Sequence, residues 1–163
     1  MAMTVNGMIA KENHETPWSD EEWASFELTL KDYSAIVIGR KTYEIMKAEG
    51  DFDSMEDQLV VVLTNQFLEE VSTQIVFASS THQVEKLLRE KEVEKALVCG
   101  GGEINATFLK AGLIDEITLD IESLIFGKGI PLVASDYVEV DLDLITVTKV
   151  SEQLLQLKYK VKK

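Results

Sequence analysis

A short apolar segment that runs into three consecutive glycines constrains the fold more than any other part of the chain. The segment is Ala96-Leu97-Val98-Cys99, followed directly by Gly100-Gly101-Gly102 and Glu103-Ile104. This pattern predicts a buried strand, a turn without side chains and the start of a helix. Unpaired N–H groups and the positive dipole end at a helix start favour a phosphate. We therefore predict that this turn binds a dinucleotide.

The glycine run has a second interpretation, because close packing of a helix against a strand also requires glycine. Its spacing matches neither the GxGxxG dinucleotide fingerprint nor the phosphate-binding loop of nucleoside triphosphatases. Cys99 ends the apolar segment, so we interpret it as a buried structural thiol. It is the only cysteine, which excludes an intrachain disulfide and a thiolate zinc cluster, and we expect no metal site.

Length and charge limit the class of protein. The 163 residues fit a single domain, residues 1–163, with a sizeable core. With 16 Lys+Arg against 29 Asp+Glu the formal charge is −13, so we expect neither nucleic acid nor an anionic membrane as a partner. No apolar run reaches membrane-span length and we identify no signal peptide, so we expect a cytoplasmic protein.

Strand and helix patterns alternate over the first two thirds of the chain. Strands are predicted at residues 1–10 (broken at Asn6-Gly7), 35–38, 59–63, 75–77 and 96–99, with helices at 20–31, after 42, at 80–92 and at 103–111. The last third alternates apolar and polar residues at 116–121, 138–147 and 155–161, as antiparallel strands do. The predicted fold is a mixed, mostly parallel α/β sheet with antiparallel strands at its C-terminal end.

Three of the predicted strands end in small or polar residues. They are Gly39-Arg40-Lys41-Thr42, Thr64-Asn65 and Gly100 to Glu103. In an open parallel sheet, ligands bind beyond the carboxyl ends of the strands, and we expect these three strand ends to converge on one edge of the sheet. Each also has a plain structural explanation: Arg40 as a surface ion pair, Thr42 as a helix cap, and Thr64-Asn65 as a turn.

The first predicted helix begins with a capping-box pattern, Ser19-Asp20-Glu21-Glu22. Trp23, Phe26 and Leu30 follow at helical spacing and are predicted to form its inward face. In a capping box the fourth residue bonds back to the N-cap, which is one explanation for Glu22. A role in chemistry is the other.

Four segments of the chain resemble the dihydrofolate reductase-like superfamily, especially its RibD C-terminal domain branch, the reductase of riboflavin biosynthesis. They are Met1 to Ala10 with Pro17-Trp18, Val37 to Glu44 (GRxTxE), Val98 to Glu103 with Phe108-Leu109 (GGG and its helix), and Asp115 to Leu132 (DEL…LLGxGxPL). The last segment favours the riboflavin branch over true dihydrofolate reductases. The resemblance covers nearly the whole chain and implies a three-layer α/β/α fold.

The resemblance implies NADPH as the hydride donor and assigns residues to it. Gly100, Gly101, Gly102, Glu103 and Ile104 would meet the pyrophosphate, and Gly39, Arg40, Lys41 and Thr42 the phosphates. Arg40 or the Thr64-Asn65 turn would lie near the adenosine 2′-phosphate. Ala2 and Ile9 would flank the nicotinamide.

The resemblance also implies a substrate site formed by Asn6, Trp18 and Glu22, in which a carboxylate of the first helix holds the heterocycle. Counting back from Phe26 makes this carboxylate Glu22, whereas counting forward from Trp18 gives Trp23; Asp20 is the neighbouring candidate. The usual Asp before the first glycine is Asn6 here.

The implied activity is reduction of a pterin-like or ribosylaminopyrimidine heterocycle, such as 5-amino-6-(5-phosphoribosylamino)uracil. Dihydrofolate reduction, and NADPH binding without catalysis, are the alternatives. We expect no zinc deaminase domain of the kind found in the bifunctional enzymes, because the sequence contains no His/Cys metal spacing. By analogy with the riboflavin branch we expect a homodimer.

Overall fold

The chain forms ten strands and four α-helices in the residues that the computed structural model describes, 1–55, 57–66 and 72–163. The elements are β1 Ala2–Thr4, β2 Met8–Lys11, α1 Asp20–Leu30, β3 Ala35–Gly39, α2 Arg40–Glu49, a 3₁₀ turn at Asp51–Ser54, β4 Leu59–Leu63, β5 Ile75–Ala78, α3 Thr81–Glu90, β6 Ala96–Gly100, α4 Gly102–Lys110, β7 Glu116–Glu122, β8 Gly129–Pro131, β9 Leu142–Lys149 and β10 Leu154–Val161.

The apolar strands of the first two thirds form a four-stranded sheet in the order β5-β4-β3-β6. All three pairings in this sheet are parallel. Every residue of the central strand β3 is buried, because side chains on both of its faces are covered. This burial explains why the strand is uniformly apolar rather than alternating.

Helices cover the parallel sheet on both sides, which produces three layers. On one face, Ile36, Ile38, Val60 and Val62 pack with Leu30 of α1 and Tyr43 of α2. On the other, Val37 and Val61 pack with Val84 of α3 and Phe108 of α4. The two clusters follow from the alternation of side chains along β3 and β4. The predicted three-layer α/β/α fold is confirmed.

The remaining strands form a second sheet in the order β1-β7-β10-β9, with β2 and β8 as a separate antiparallel pair. Strand β1 runs parallel to β7, while β10 is antiparallel to both β7 and β9. This arrangement confirms the predicted antiparallel strands at the C-terminal end. The described residues contain no helix that is long and apolar enough to cross a membrane.

Two predictions about local structure are wrong. The penultimate strand spans Leu142–Lys149 rather than 138–147, because its register is set by pairing with β10, where Val147 lies opposite Leu157. In α1, Trp23 is 44% exposed although it was predicted to face inward, whereas Glu22 is buried. The cause is that β7, distant in sequence, covers the Glu22 side of the helix with polar side chains.

Candidate functional site

The strand ends predicted to share a ligand do lie at one edge of the parallel sheet. Gly39, at the end of β3, pairs with Leu63 of β4, directly before Thr64. On the other side of β3, Ile38 pairs with Gly100 at the end of β6. The three segments therefore lie side by side, so their predicted convergence on one edge of the sheet is confirmed.

Two helices begin at this edge without a side chain to cap them. Gly39 is the N-cap of α2 and Gly101 is the N-cap of α4, and neither provides a side-chain hydrogen bond. In contrast, α1 and α3 are capped by serine hydroxyls, those of Ser19 and Ser80. The first N–H groups of an uncapped helix have no intrahelical partner and attract an anion. These two helix starts are thus the sites in the sheet best suited to phosphates.

The starts of α2 and α4 lie in contact, so their dipoles act on the same region. A β-carbon added to Gly39 would lie 2.8 Å from Cγ1 of Ile104, in the first turn of α4. Packing therefore explains the glycine at 39. The contact also places Ile104 between the two helices, rather than free to bind a ligand through its side chain.

The three glycines of the turn have different reasons for lacking a side chain. A β-carbon on Gly102 would overlap the carbonyl oxygen of Pro131, so close packing is the reason there. Gly100 has φ +87°, in the left-handed region that favours glycine, and the peptide bond between Gly100 and Gly101 is cis. A β-carbon on Gly101 would meet only Cδ1 of Ile9, at 3.9 Å. Protein packing therefore does not explain Gly101.

The polar residues at this edge are accessible. Arg40 donates to Glu44 Oε1 at 2.6 Å across one helical turn, which is the surface ion pair considered from the sequence. Such a surface pair contributes about 0–1 kcal/mol, so it holds the Arg40 side chain only weakly. Lys41 and Asn65 are exposed, and the Thr64 hydroxyl accepts from the N–H of Gln66, as a turn residue does.

Strands β1 and β2 connect the glycine turn to a second group of residues. Ile9 is buried with its methyl group beside Gly101, and Met1 lies beside Gly100. Ala2 is buried and pairs with Asp120 on β7. The N-terminal segment thus lies between the helix starts and the polar face of β7, the place predicted for the reacting part of a cofactor.

That polar face carries two buried carboxylates, and a third reaches it from α1. Glu22, Asp120 and Glu122 are each at most 4% exposed. Asp120 Oδ1 accepts a hydrogen bond from Gln156 Nε2 at 2.9 Å. Glu122 Oε1 accepts from the N–H and the hydroxyl of Ser19, at 2.9 and 2.6 Å. Three acids in one buried cluster cannot all carry charge without a large cost in free energy.

The pKa of the Glu22 carboxyl reflects this cost in free energy. Burial raises its pKa to about 7; the nearby carboxylates of Asp120 and Glu122 raise it too, while the amino group of Met1 opposes the shift. Glu22 can therefore hold a proton at neutral pH and release it, as a general acid must. Asp20, the neighbouring candidate, is exposed on the outer side of the helix.

Asp120 and Glu122 were missed from the sequence. They occupy the polar positions of an alternating strand, which indicates a solvent-facing side. Alternation along β7 says nothing about the element that covers that side. A sequence signal does exist in retrospect, since acidic residues dominate the polar face of this one strand.

Asn6 and Trp18, the other predicted substrate residues, meet at Phe126. The Asn6 side chain donates to the Phe126 carbonyl at 2.7 Å and accepts from the Thr4 hydroxyl at 2.8 Å. Trp18 stacks on the Phe126 ring with 5.9 Å between centroids. The Asn6 amide thus ties the turn after β1 to the segment before β8. This structural role accounts for the residue without a ligand.

Comparison with known proteins identifies the family of this chain. The family model described as the RibD C-terminal domain matches residues 1–156. The chain belongs to this family. Two Bacillus subtilis relatives, described as the uncharacterized proteins YwjB and YyaP, are 27% and 23% identical, each over 98% of this chain and 94% and 91% of their own lengths.

Solved structures of RibD-type proteins share the fold. A putative riboflavin biosynthesis protein from Shewanella sp. PV-4 superposes with a TM-score of 0.84 at 22% identity, covering 100% of this chain and 97% of its own. The deaminase/reductase of Thermotoga maritima gives a TM-score of 0.74 at 21% identity, over 99% of this chain. This chain spans 55% of that bifunctional enzyme. The dihydrofolate reductase-like fold class is therefore shown, in a reductase-related family.

Proposed function

We propose that the protein is an NADPH-dependent reductase of a small nitrogen heterocycle. The observation that supports this most is the arrangement around β1. On one side lie two uncapped helix starts, and on the other lies a buried acid with a pKa of about 7. A reductase needs these two things, a cradle for the phosphates of a dinucleotide and a proton donor close to the reacting ring.

The residues present fit a dinucleotide. Gly101 leaves its backbone uncovered where no protein atom requires it, which permits close approach of a pyrophosphate. Arg40 would take a phosphate in place of Glu44, and Ala2 and Ile9 supply an apolar surface for the nicotinamide ring. When bound, the dinucleotide supplies the hydride.

The protein's own contribution is one proton and an oriented pocket. Reduction of a C=N bond needs a hydride at carbon and a proton at nitrogen, and protonated Glu22 would deliver that proton. The buried carboxylates of Asp120 and Glu122 disfavour loss of the proton to water. The substrate class includes ribosylaminopyrimidines, in keeping with the reductase named in the Thermotoga maritima protein, and pterins such as dihydrofolate.

The proposal is tested by binding and turnover of the dinucleotides, with Arg40→Ala as the informative variant. Loss of a charged contact to the 2′-phosphate should weaken NADPH binding by about 10- to 100-fold and NADH binding by less than about 3-fold. Tryptophan fluorescence titration measures both, and Arg89→Ala, on the last turn of α3, is the control.

Oxidation of NADPH against a panel of pyrimidines, pterins and quinones then separates the candidate functions. Turnover of any member supports a reductase, and the member turned over identifies its class. Tight NADPH binding without oxidation favours the alternative, a binding module. Equal loss of NADPH and NADH affinity in Arg40→Ala removes Arg40 from the 2′-phosphate.

We also propose that the protein is a homodimer joined through β9. All eight residues of this edge strand are exposed, among them Leu144, Ile145 and Val147. An edge strand of this kind is a template for pairing with another chain. In a chain of net charge −13, β9 and β10 carry three lysines and one aspartate, so the overall negative charge is not concentrated at this edge.

The strand is also self-complementary. Antiparallel pairing of two copies centred on Thr146 would place Asp143 opposite Lys149 twice. Val147→Lys should therefore convert a dimer into a monomer at micromolar concentration, as measured by light scattering after gel filtration. Leu28→Lys alters an exposed leucine on α1 and should leave the dimer intact. A wild-type protein that is monomeric throughout would refute this assembly.

A further inference from the structure

The start of α1 departs from an ordinary capping box in one respect. Ser19 caps the helix, and its hydroxyl accepts from the N–H of Glu22 at 3.2 Å, which is half of the motif. In the other half, the acid at the third helical position accepts from the N-cap N–H. Here that N–H donates instead to Oε1 of Glu122, 103 residues away on β7.

Glu122 satisfies both donors of Ser19 at once. Its Oε1 accepts the backbone N–H at 2.9 Å and the hydroxyl at 2.6 Å. Glu122 is itself 4% exposed and fixed on a strand that pairs with β1 and β10. The position that Glu22 would take in a local capping box is therefore occupied by a rigidly held group from another element.

The consequence falls on the Glu22 side chain. Glu22 is 3% exposed, and within the described residues its carboxyl makes no hydrogen bond; since no fully buried side-chain oxygen there lacks a partner, the carboxyl oxygens must reach the surface. The other two acids of the cluster are both bonded, Glu122 to Ser19 and Asp120 to Gln156. Glu22 is thus the buried acid whose carboxyl is left for a group that the protein does not supply.

We propose that Glu122 is a positioning residue for Glu22: by bonding both donors of Ser19, it keeps the Glu22 carboxyl off the helix cap and directed at the substrate. The inference rests on the proposed function, in which Glu22 donates the proton. It explains why a residue at a capping position serves as an acid. The carboxylate that bonds the N-cap of α1 comes from Glu122, and the Glu22 carboxyl does not bond the cap.

The direction of the effect follows from the charges around Glu22. Asp120 and Glu122 face it from β7, the amino group of Met1 faces it from beside β1, and Asp20 and Glu21 precede it on α1. If Glu122 is removed, the Ser19 N–H is free and the Glu22 carboxylate can bond it at the positive end of the helix. That bond favours the charged form and lowers the Glu22 pKa.

Two substitutions separate position from charge. Glu122→Ala removes both the acceptor and the charge, so Glu22 should return to the cap. Its titration midpoint should then fall by about 2 pH units or more, a 100-fold change in proton affinity. Glu122→Gln keeps an oxygen that accepts from Ser19, so the midpoint should fall by less than about 1 unit.

Carbon-detected NMR titration of the Glu22 carboxyl measures both variants without any need for turnover. An unchanged midpoint in Glu122→Ala, or equal shifts in the two variants, overturns the positioning role. If Glu122→Ala does not fold, Glu122→Gln alone still tests the inference. The Ser19 N–H of this variant should exchange with solvent as slowly as in the wild type, and its pH profile should stay close to that of the wild type. Faster exchange, from loss of that N–H bond, would refute the arrangement.

The same experiment separates this inference from the proposed function. A shifted midpoint together with no NADPH oxidation on any substrate supports the positioning and refutes the reductase. In an active protein, kcat should fall at high pH as Glu22 loses its proton, and this alkaline limb of the profile should move with the NMR midpoint across wild type, Glu122→Gln and Glu122→Ala. A profile that stays fixed while the midpoint moves would show that Glu22 is not the acid.

Discussion

Gly101→Ala is expected to leave the fold intact and to weaken NADPH binding by about 100-fold. A β-carbon at this position meets only an Ile9 methyl at 3.9 Å, and the backbone, with φ −68° and ψ −162°, suits any residue. A methyl group there would keep a pyrophosphate from the N–H groups that start α4. Fluorescence titration gives the affinity, and thermal unfolding confirms the unchanged stability.

The matched control is the neighbouring glycine. Gly102→Ala forces a β-carbon onto the carbonyl of Pro131 and to 3.2 Å from the β-carbon of Ala134, so it should destabilise the protein by about 1–3 kcal/mol. Gly101→Ala should therefore lose NADPH affinity and keep its stability, whereas Gly102→Ala should lose stability. Normal NADPH affinity in Gly101→Ala would show that the turn is glycine-rich for packing alone.

Glu22→Gln is expected to have the largest effect on turnover. The amide fills the same space but cannot donate a proton to a ring nitrogen in the same way, so kcat should fall by about 10²- to 10⁴-fold. NADPH affinity should be unchanged, because the helix starts are not altered. Asp20→Asn is the control, since Asp20 is exposed two residues away and should retain activity.

The same variant should become more stable than the wild type at high pH. The Glu22 pKa is about 7 in the folded protein and near 4.5 when unfolded, so the folded state holds the proton more tightly. Wild-type stability must then fall as pH rises from 4.5 through 7, by roughly 2–3 kcal/mol. Chemical denaturation at pH 4.5 and 8 should show a smaller fall for Glu22→Gln. An identical pH dependence would contradict the raised pKa.

Much of the parallel half of the fold could be predicted from local pattern. Leu59–Leu63 is predicted at its observed bounds, because five apolar residues in a row indicate a strand covered on both faces. The helix after the glycine turn, predicted from residue 103 and observed from Gly102, and the convergence of three strand ends on one edge follow from similar patterns. In each instance the prediction depends on residues that are neighbours in the sequence.

The polar half of the site could not be predicted in this way. Glu22, and not Trp23, lies on the buried face of α1, because a polar surface of β7 lies against that helix. The capping-box pattern correctly predicts Ser19 as the N-cap, but the reciprocal bond to the Ser19 N–H is made by Glu122 and not by Glu22. Both outcomes depend on residues about 100 positions away.

Local pattern predicted the alternating strands and helices, the glycine turn at 100–102 and the two helix starts beside it, because period, turn chemistry and apolar runs act over a few residues; the three-layer arrangement followed from the family resemblance. Tertiary contacts decide which glycine is free of packing and which acid of the first helix is buried. The pairing of β7 with β1 and β10 brings Asp120 and Glu122 beneath α1. Burial and pKa depend on what covers a group, and no local pattern specifies that.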